Sequence, residues 1–177
     1  MGAVMIACFK GLLRASEALS LKAGDVFDLG FCFVFRLGIA KRGQEQKALV
    51  QDPAAVKFLR DFTAWRGPVD DDAGYFGISY NQLQRWLQRS VALLGLDGPW
   101  TSHGLRRGGA TELVALGTPP STIALLGRWL SERSLRQYLR LGELALLRTR
   151  RDMTPAVRNR IHRLAMGAGC VFDALAG

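Results

Sequence analysis

Five side chains in this 177-residue chain are of types that could work together on a phosphodiester: Arg14, His103, Arg106, Trp129 and Tyr138. His103 and Arg106 stand three apart at the start of a predicted helix, which stacks them on one helix face. Trp129 closes the run Leu125-Leu126-Gly127-Arg128, and Tyr138 follows nine positions later amid arginines. A phosphodiester is already anionic and resists attack, and more charge builds on its oxygens in the transition state. Catalysis there is mainly positioning and electrostatic stabilisation. Arginine suits it best, being permanently charged and forked to hold two phosphate oxygens. Without a metal, such chemistry wants two arginines, other donors, a nucleophile and an acid for the leaving group. Each residue also has a plainer reading. Tyr138 suits half-buried packing, Trp129 a core position, His103 a helix cap, and Arg14 a surface pair with Glu17 a turn later.

The whole chain is consistent with that chemistry without requiring it. Its length fits one domain with a real core, and its 49% hydrophobic and 22% charged residues are ordinary for a globular fold. The net charge of +9 and pI near 10.2 make a polyanion the natural partner, nucleic acid being the commonest. Cys8, Cys32 and Cys170 are far apart, and the only histidines are His103 and His162, so no familiar zinc spacing can be assembled. Free buried thiols in a reducing compartment are expected. Asp70-Asp71-Asp72 reads as a solvated loop rather than a metal site. The start lacks the features of a signal peptide, and no run reaches a membrane span of roughly 18 apolar residues. A soluble intracellular protein, with no membrane partner, is expected.

The elements that must position these residues are mainly helical, an α+β fold with one small antiparallel sheet near residues 25–50. Apolar residues recur at helical spacing from Ala3 to Leu19, predicting one buried helix that carries Arg14. FDLGFCFVFRLGIAK is rich in Phe and Val and reads as strands. A hairpin follows, with its turn at Lys41-Arg42-Gly43 and Lys47 to Val50 returning. Helices are predicted over Ala54–Trp65 and Ser79–Leu94, the second opened by a Ser79/Gln82 capping box. Three short helices follow: Gly104–Leu116, Pro119–Leu126 and Glu132–Leu141. An Arg-rich tail over 142–177 reads as a basic helix entered at Thr154-Pro155.

Order and spacing together resemble the catalytic domain of tyrosine recombinases, the phage-integrase family. Its Gly-Leu-Arg-x-Ser-Glu segment reads Gly11-Leu12-Leu13-Arg14-Ala15-Ser16-Glu17 here, with one additional Leu. Its hairpin lysine matches Lys41, and its His-x-Leu-Arg box is His103-Gly104-Leu105-Arg106. The Leu-Gly-His segment of many members is Leu126-Gly127-Arg128-Trp129, which puts the last site position on Trp129, a Trp alternative that some members use. The nucleophile position falls on Tyr138. The likeness covers about Val4 to Leu141.

The resemblance implies that Arg14 and Arg106 clamp the scissile phosphate while His103 hydrogen-bonds it and assists proton transfer. Trp129 would donate its indole N–H and wall the pocket. Tyr138 would form a covalent 3′-phosphotyrosyl link, and Lys41 would protonate the departing 5′-hydroxyl. Lys47, on the returning strand, is the alternative lysine. Arg42, Arg107 and Arg128 are expected to contact double-stranded DNA, with no cofactor or metal. The tail is a candidate for docking onto a second copy assembled on the DNA. Since the sequence begins almost at the first arginine, the family's helix before the first-arginine helix and its separate DNA-clamping domain are expected to be absent. Residues 1–177 are therefore expected to be a single catalytic-type domain that binds DNA weakly and salt-sensitively. A non-catalytic DNA-binding remnant and a type IB topoisomerase remain as alternative readings.

Overall fold

The computed structural model describes residues 2–39, 45–96, 100–131, 133–136, 139, 154–156 and 159. Its elements run α1 (Gly2–Lys10), α2 (Ala15–Ser20), β1 (Val26–Asp28), β2 (Phe33–Ile39), β3 (Glu45–Val50), α3 (Pro53–Arg66), α4 (Tyr80–Leu94), α5 (Ser102–Ala115) and α6 (Pro120–Leu126). Residues 133–136 add a helical turn after α6. The fold is thus mainly helical with one small sheet, as the sequence predicts. Of the expected basic tail helix, only Thr154, Pro155, Ala156 and Asn159 belong to the described residues.

The three strands pair antiparallel in the order β1-β2-β3, with Phe33 opposite Val50 and Phe35 opposite Ala48. Those four residues are buried, whereas Arg36 and Leu49 on the opposite face are exposed, the period-two alternation of a one-sided sheet. Against this face pack α1 and α3, with Leu59, Phe62, Tyr75, Phe76 and Leu83 completing the larger core. Asp52 caps α3 by accepting from the Ala55 N–H at 2.9 Å, and Pro53 opens the helix. The Ser79/Gln82 capping box forms as expected at α4. The aspartate loop is solvent-facing, with Asp72 paired to Lys22 at 2.5 Å. A second, smaller core joins Leu12, Ala110, Ile123, Ala124, Leu135 and Leu139, with Trp129 against it.

One expectation is corrected. The single helix predicted over Ala3–Leu19 is two helices, broken across residues 11–14. Leu12 takes φ 51°, the left-handed region that ends a right-handed helix, and the chain restarts with Arg14 as the residue capping α2. Apolar spacing persists across the break because Leu12 and Leu13 are both buried, which is why periodicity alone reads through it.

α1 and α5 cross in close contact at Gly108 and Gly109. A Cβ on Gly109 would lie 1.9 Å from the Phe9 carbonyl oxygen, a backbone atom that cannot swing aside. Lys10, one residue on, donates to Glu112 at 2.7 and 2.9 Å and meets Asp52 at 3.2 Å, tying α1 to α5 and to the start of α3. Gly109→Ala is therefore expected to force the helices apart at a cost of about 3 kcal/mol. That corresponds to a Tm lower by roughly 6–12 °C for a domain of this size. Gly104→Ala, also within α5 but with no atom within 4 Å of the added carbon, should not lower Tm in the same melting experiment.

Candidate active site

The break after α1 is the first positioning device. It turns Arg14 outward at the start of α2, with its side chain 49% exposed. Glu17, one turn on, accepts from the Arg14 backbone N–H at 2.8 Å and from Arg14 Nη1 at 2.5 Å. The same carboxylate receives Arg128 Nη2 at 2.8 Å and stands 3.7 Å from Arg106 Nη1. Three guanidiniums from three segments therefore share one carboxylate, leaving an excess of positive charge. Burial alone would raise the Glu17 carboxyl. The Arg14 N–H and the surrounding guanidiniums outweigh it and hold the group below the ordinary carboxylate range. Because the unfolded carboxyl titrates near ~4.3, the stability this provides is full above that pH. It is lost as pH falls further, through the folded pKa.

Arg106 is 1% exposed, a degree of burial that a charged residue reaches only when paired. Its Nη1 donates to the Leu12 carbonyl and its Nη2 to the Gly127 carbonyl. The guanidinium carbon lies 4.3 Å from the centroid of the Trp129 ring, a cation–π stack in a largely dry setting. The ring occupies the space above Gly127: a Cβ there would fall 1.6 Å from a ring carbon. Glycine at 127 is thus the condition for Trp129 to lie where it does. Arg128, between them, takes φ 58°, and its side chain is 7% exposed.

His103 sits in the first turn of α5 with its side exposed to solvent, one turn from Arg106. Partial loss of hydration at the ring, and then the charges of Arg107, Arg106 and Arg14, push its pKa below the ordinary imidazole value. The free protein therefore carries a neutral His103 at pH 7. Since the unfolded imidazole binds its proton first, near pH ~6.5, this residue's contribution to stability is full above that pH. It declines as pH falls toward the folded pKa. In an NMR titration of the two histidines, with His162→Gln to assign them, His103 should titrate below the ordinary range. Arg107→Ala should raise it, by removing the strongest of the three repulsions.

Among the described residues, no three His, Cys, Asp or Glu side chains gather to hold a metal. Cys8 and Cys32 are buried free thiols. Desolvation, and then the charge of Glu17, push Cys8 up to about 12, so it stays protonated and unreactive. No helix among the described residues is long and apolar enough to cross a membrane.

The structure thus brings together Arg14, Arg106 and Trp129, with His103 in the same electrostatic field. Lys41, Arg42 and Tyr138 lie outside the described residues, although Leu135 and Leu139, to either side of Tyr138 in sequence, pack into the small core beside Trp129. Lys47 lies on β3, 56% exposed, its Nζ 3.2 Å from Glu45. Arg107 is half-buried on α5 beside His103. Arg128, expected among the DNA contacts, is placed otherwise: its guanidinium faces inward onto Glu17 and main-chain carbonyls. Sequence reasoning noticed Glu17 only as a surface partner for Arg14. Its spacing was visible, but the arrival of two more arginines on it was not.

The model of the phage integrase family matches residues 2–143. The chain belongs to the phage integrase family. Among curated proteins, the integrase/recombinase designated putative y4qK of Sinorhizobium fredii (strain NBRC 101917 / NGR234) is 29% identical over 147 residues. The alignment covers 79% of this chain and 46% of that protein, so the chain spans less than half of its relative's length. The solved structure of the XerA recombinase aligns with a TM-score of 0.65 at 17% identity, covering 92% of this chain and 57% of that one. XerH site-specific recombinase, in a post-cleavage complex with a palindromic difH substrate, aligns with a TM-score of 0.62 at 20% identity, covering 81% and 42%.

Two residues beside the motif positions take an unusual backbone conformation. When the first motif is anchored on Arg14, its Gly falls on Leu12. When the Leu-Gly-His segment is anchored on Trp129, its Gly falls on Arg128. Leu12 and Arg128 are the non-glycine residues with positive φ among the described residues, at 51° and 58°. Both turns are left-handed in this chain without a glycine to relieve them. A non-glycine side chain there costs roughly 1–3 kcal/mol at each position, strain that only surrounding contacts can sustain.

Proposed function

We propose that this chain carries the catalytic site of a tyrosine recombinase, which cleaves and rejoins DNA strands through a covalent 3′-phosphotyrosyl intermediate. The observation that carries the reading is the convergence of Arg14 and Arg106, from distant parts of the sequence, on Glu17, with Trp129 stacked on Arg106. The excess positive charge suits a phosphate diester, and the forked guanidiniums suit its two free oxygens. Arg14 is the mobile half of the clamp, exposed and able to exchange Glu17 for phosphate. Arg106 is the fixed half, its charge set in place by main-chain carbonyls. His103, neutral in the free protein, hydrogen-bonds a phosphate oxygen, and an arriving anion offsets the arginines that depress its pKa.

The Tyr138 phenolic oxygen attacks phosphorus and forms the new P–O bond, its proton passing toward His103. The bond to the 5′-oxygen breaks, and Lys41 protonates that oxygen as it leaves. Rejoining is the reverse, a 5′-hydroxyl attacking the phosphotyrosine. The ester conserves the bond energy, so no metal or nucleotide is required. Arg42 and Arg107 meet the flanking DNA backbone, and the basic tail bears on a second copy.

A library of randomised duplexes, each nicked so that the short cleaved strand diffuses away, tests this. An adduct surviving denaturation is expected, with mass spectrometry placing the nucleotide on the Tyr138 peptide. DNA that is retarded on a native gel yet never becomes covalently attached would make this chain a DNA-binding module instead.

A further inference from the structure

Resting on that reading, we infer that Arg128 is a positioning residue, a buried cationic clasp that holds the Leu12 turn against the Gly127–Trp129 turn and so fixes Arg14 and Trp129 around the phosphate. The guanidinium makes its contacts with both sides of the site at once. Nη2 donates to the Leu12 carbonyl at 3.1 Å and to Glu17 at 2.8 Å, while Nη1 donates to the Leu126 carbonyl at 3.2 Å. Leu12 and Arg128 are also the two left-handed non-glycine positions among the described residues, and this hydrogen bond joins them directly. Strained backbone persists only where neighbouring contacts over-determine it, and the clasp is such a contact.

The Leu12 carbonyl receives Arg106 as well, so the clasp shares its anchor with the fixed half of the clamp. Glu17 is likewise shared with Arg14. By taking part of the Glu17 charge, Arg128 leaves Arg14 less tightly held and available to an incoming anion. Trp129 follows Arg128 directly, so the left-handed turn at 128 determines where the indole meets Arg106. A lysine cannot do this work: one ammonium on a flexible stem does not span a carboxylate and two carbonyls in fork geometry.

The test uses the full chain with Trp65, Trp86 and Trp100 changed to Phe, leaving Trp129 as the sole indole. Arg128→Lys and Arg128→Met are compared with the parent well below their melting temperatures, and the lysine variant decides if the methionine variant does not fold. Both substitutions should red-shift Trp129 emission and make it easier to quench with acrylamide. Neither should change the slope of log affinity against log salt for a random-sequence duplex. Unmoved Trp129 emission and quenching would overturn the inference. So would a slope reduced by about 0.9 in either variant, the signature of one lost phosphate contact. Adduct yield on the nicked duplexes should fall about 10- to 100-fold, as expected for misplaced groups. If the parent forms no adduct, the recombinase reading fails, while emission and salt slope still decide the role of Arg128.

Discussion

Arg106→Met is expected to remove about 3–5 kcal/mol of stability, the range for breaking a buried charged pair from one side. Met fills much of the space but donates nothing. The Gly127 carbonyl loses its donor and the Leu12 carbonyl keeps only Arg128, and a buried carbonyl left unsatisfied costs roughly 1–3 kcal/mol. Glu17 keeps Arg14 and Arg128, which places the total nearer the lower end than a lone pair would. For a domain of this size the loss should appear as a Tm lower by roughly 6–20 °C in thermal melts. The chemistry should suffer separately. Adduct formation, assayed well below both melting temperatures, should slow by at least about 10²-fold, since the proposed mechanism loses a preorganised charge beside the phosphate. Arg106→Lys should rescue neither quantity, because one ammonium cannot serve two carbonyls and a phosphate. A fully stable Arg106→Met would show that the buried guanidinium does not tie the site together.

Tyr138→Phe is expected to abolish the covalent adduct, a loss greater than about 10⁴-fold, because in the proposed mechanism the phenolic oxygen is the atom that bonds to phosphorus. The ring is retained, so Tm and the affinity for duplex DNA should match wild type. That separation matters, since Arg106→Met lowers stability and activity together whereas Tyr138→Phe should lower activity alone. Residual adduct in the phenylalanine protein, mapped to any other residue, would reassign the nucleophile.

Much of this site was legible in the sequence because its cues are local. The capping box at Ser79 and Gln82, the Phe/Val-rich strands and the three-residue step from His103 to Arg106 all follow from short-range geometry. The helix break at residues 11–14 was not legible. It depends on a left-handed Leu12 that local propensity disfavours and that the Arg106 and Arg128 hydrogen bonds sustain. The inward turn of Arg128 was missed for a related reason: an arginine in a basic stretch reads as a surface charge until its long-range partner is known.

By itself the sequence determined the inventory and order of the site: which side chains carry charge, which could be a nucleophile, and which stretches are helical or extended. Side-chain chemistry and helical or strand periodicity are properties of a residue and its near neighbours, so they survive without a fold. Only the tertiary structure decided how the arginines divide their labour. Glu17 gathers Arg14, Arg106 and Arg128 because α2, α5 and the turn after α6 meet there, and the close crossing of α1 and α5 over Gly109 helps set that meeting. Burial then distinguishes three chemically identical guanidiniums. One faces solvent, one is fixed on main-chain carbonyls beneath a tryptophan, and one joins the two turns.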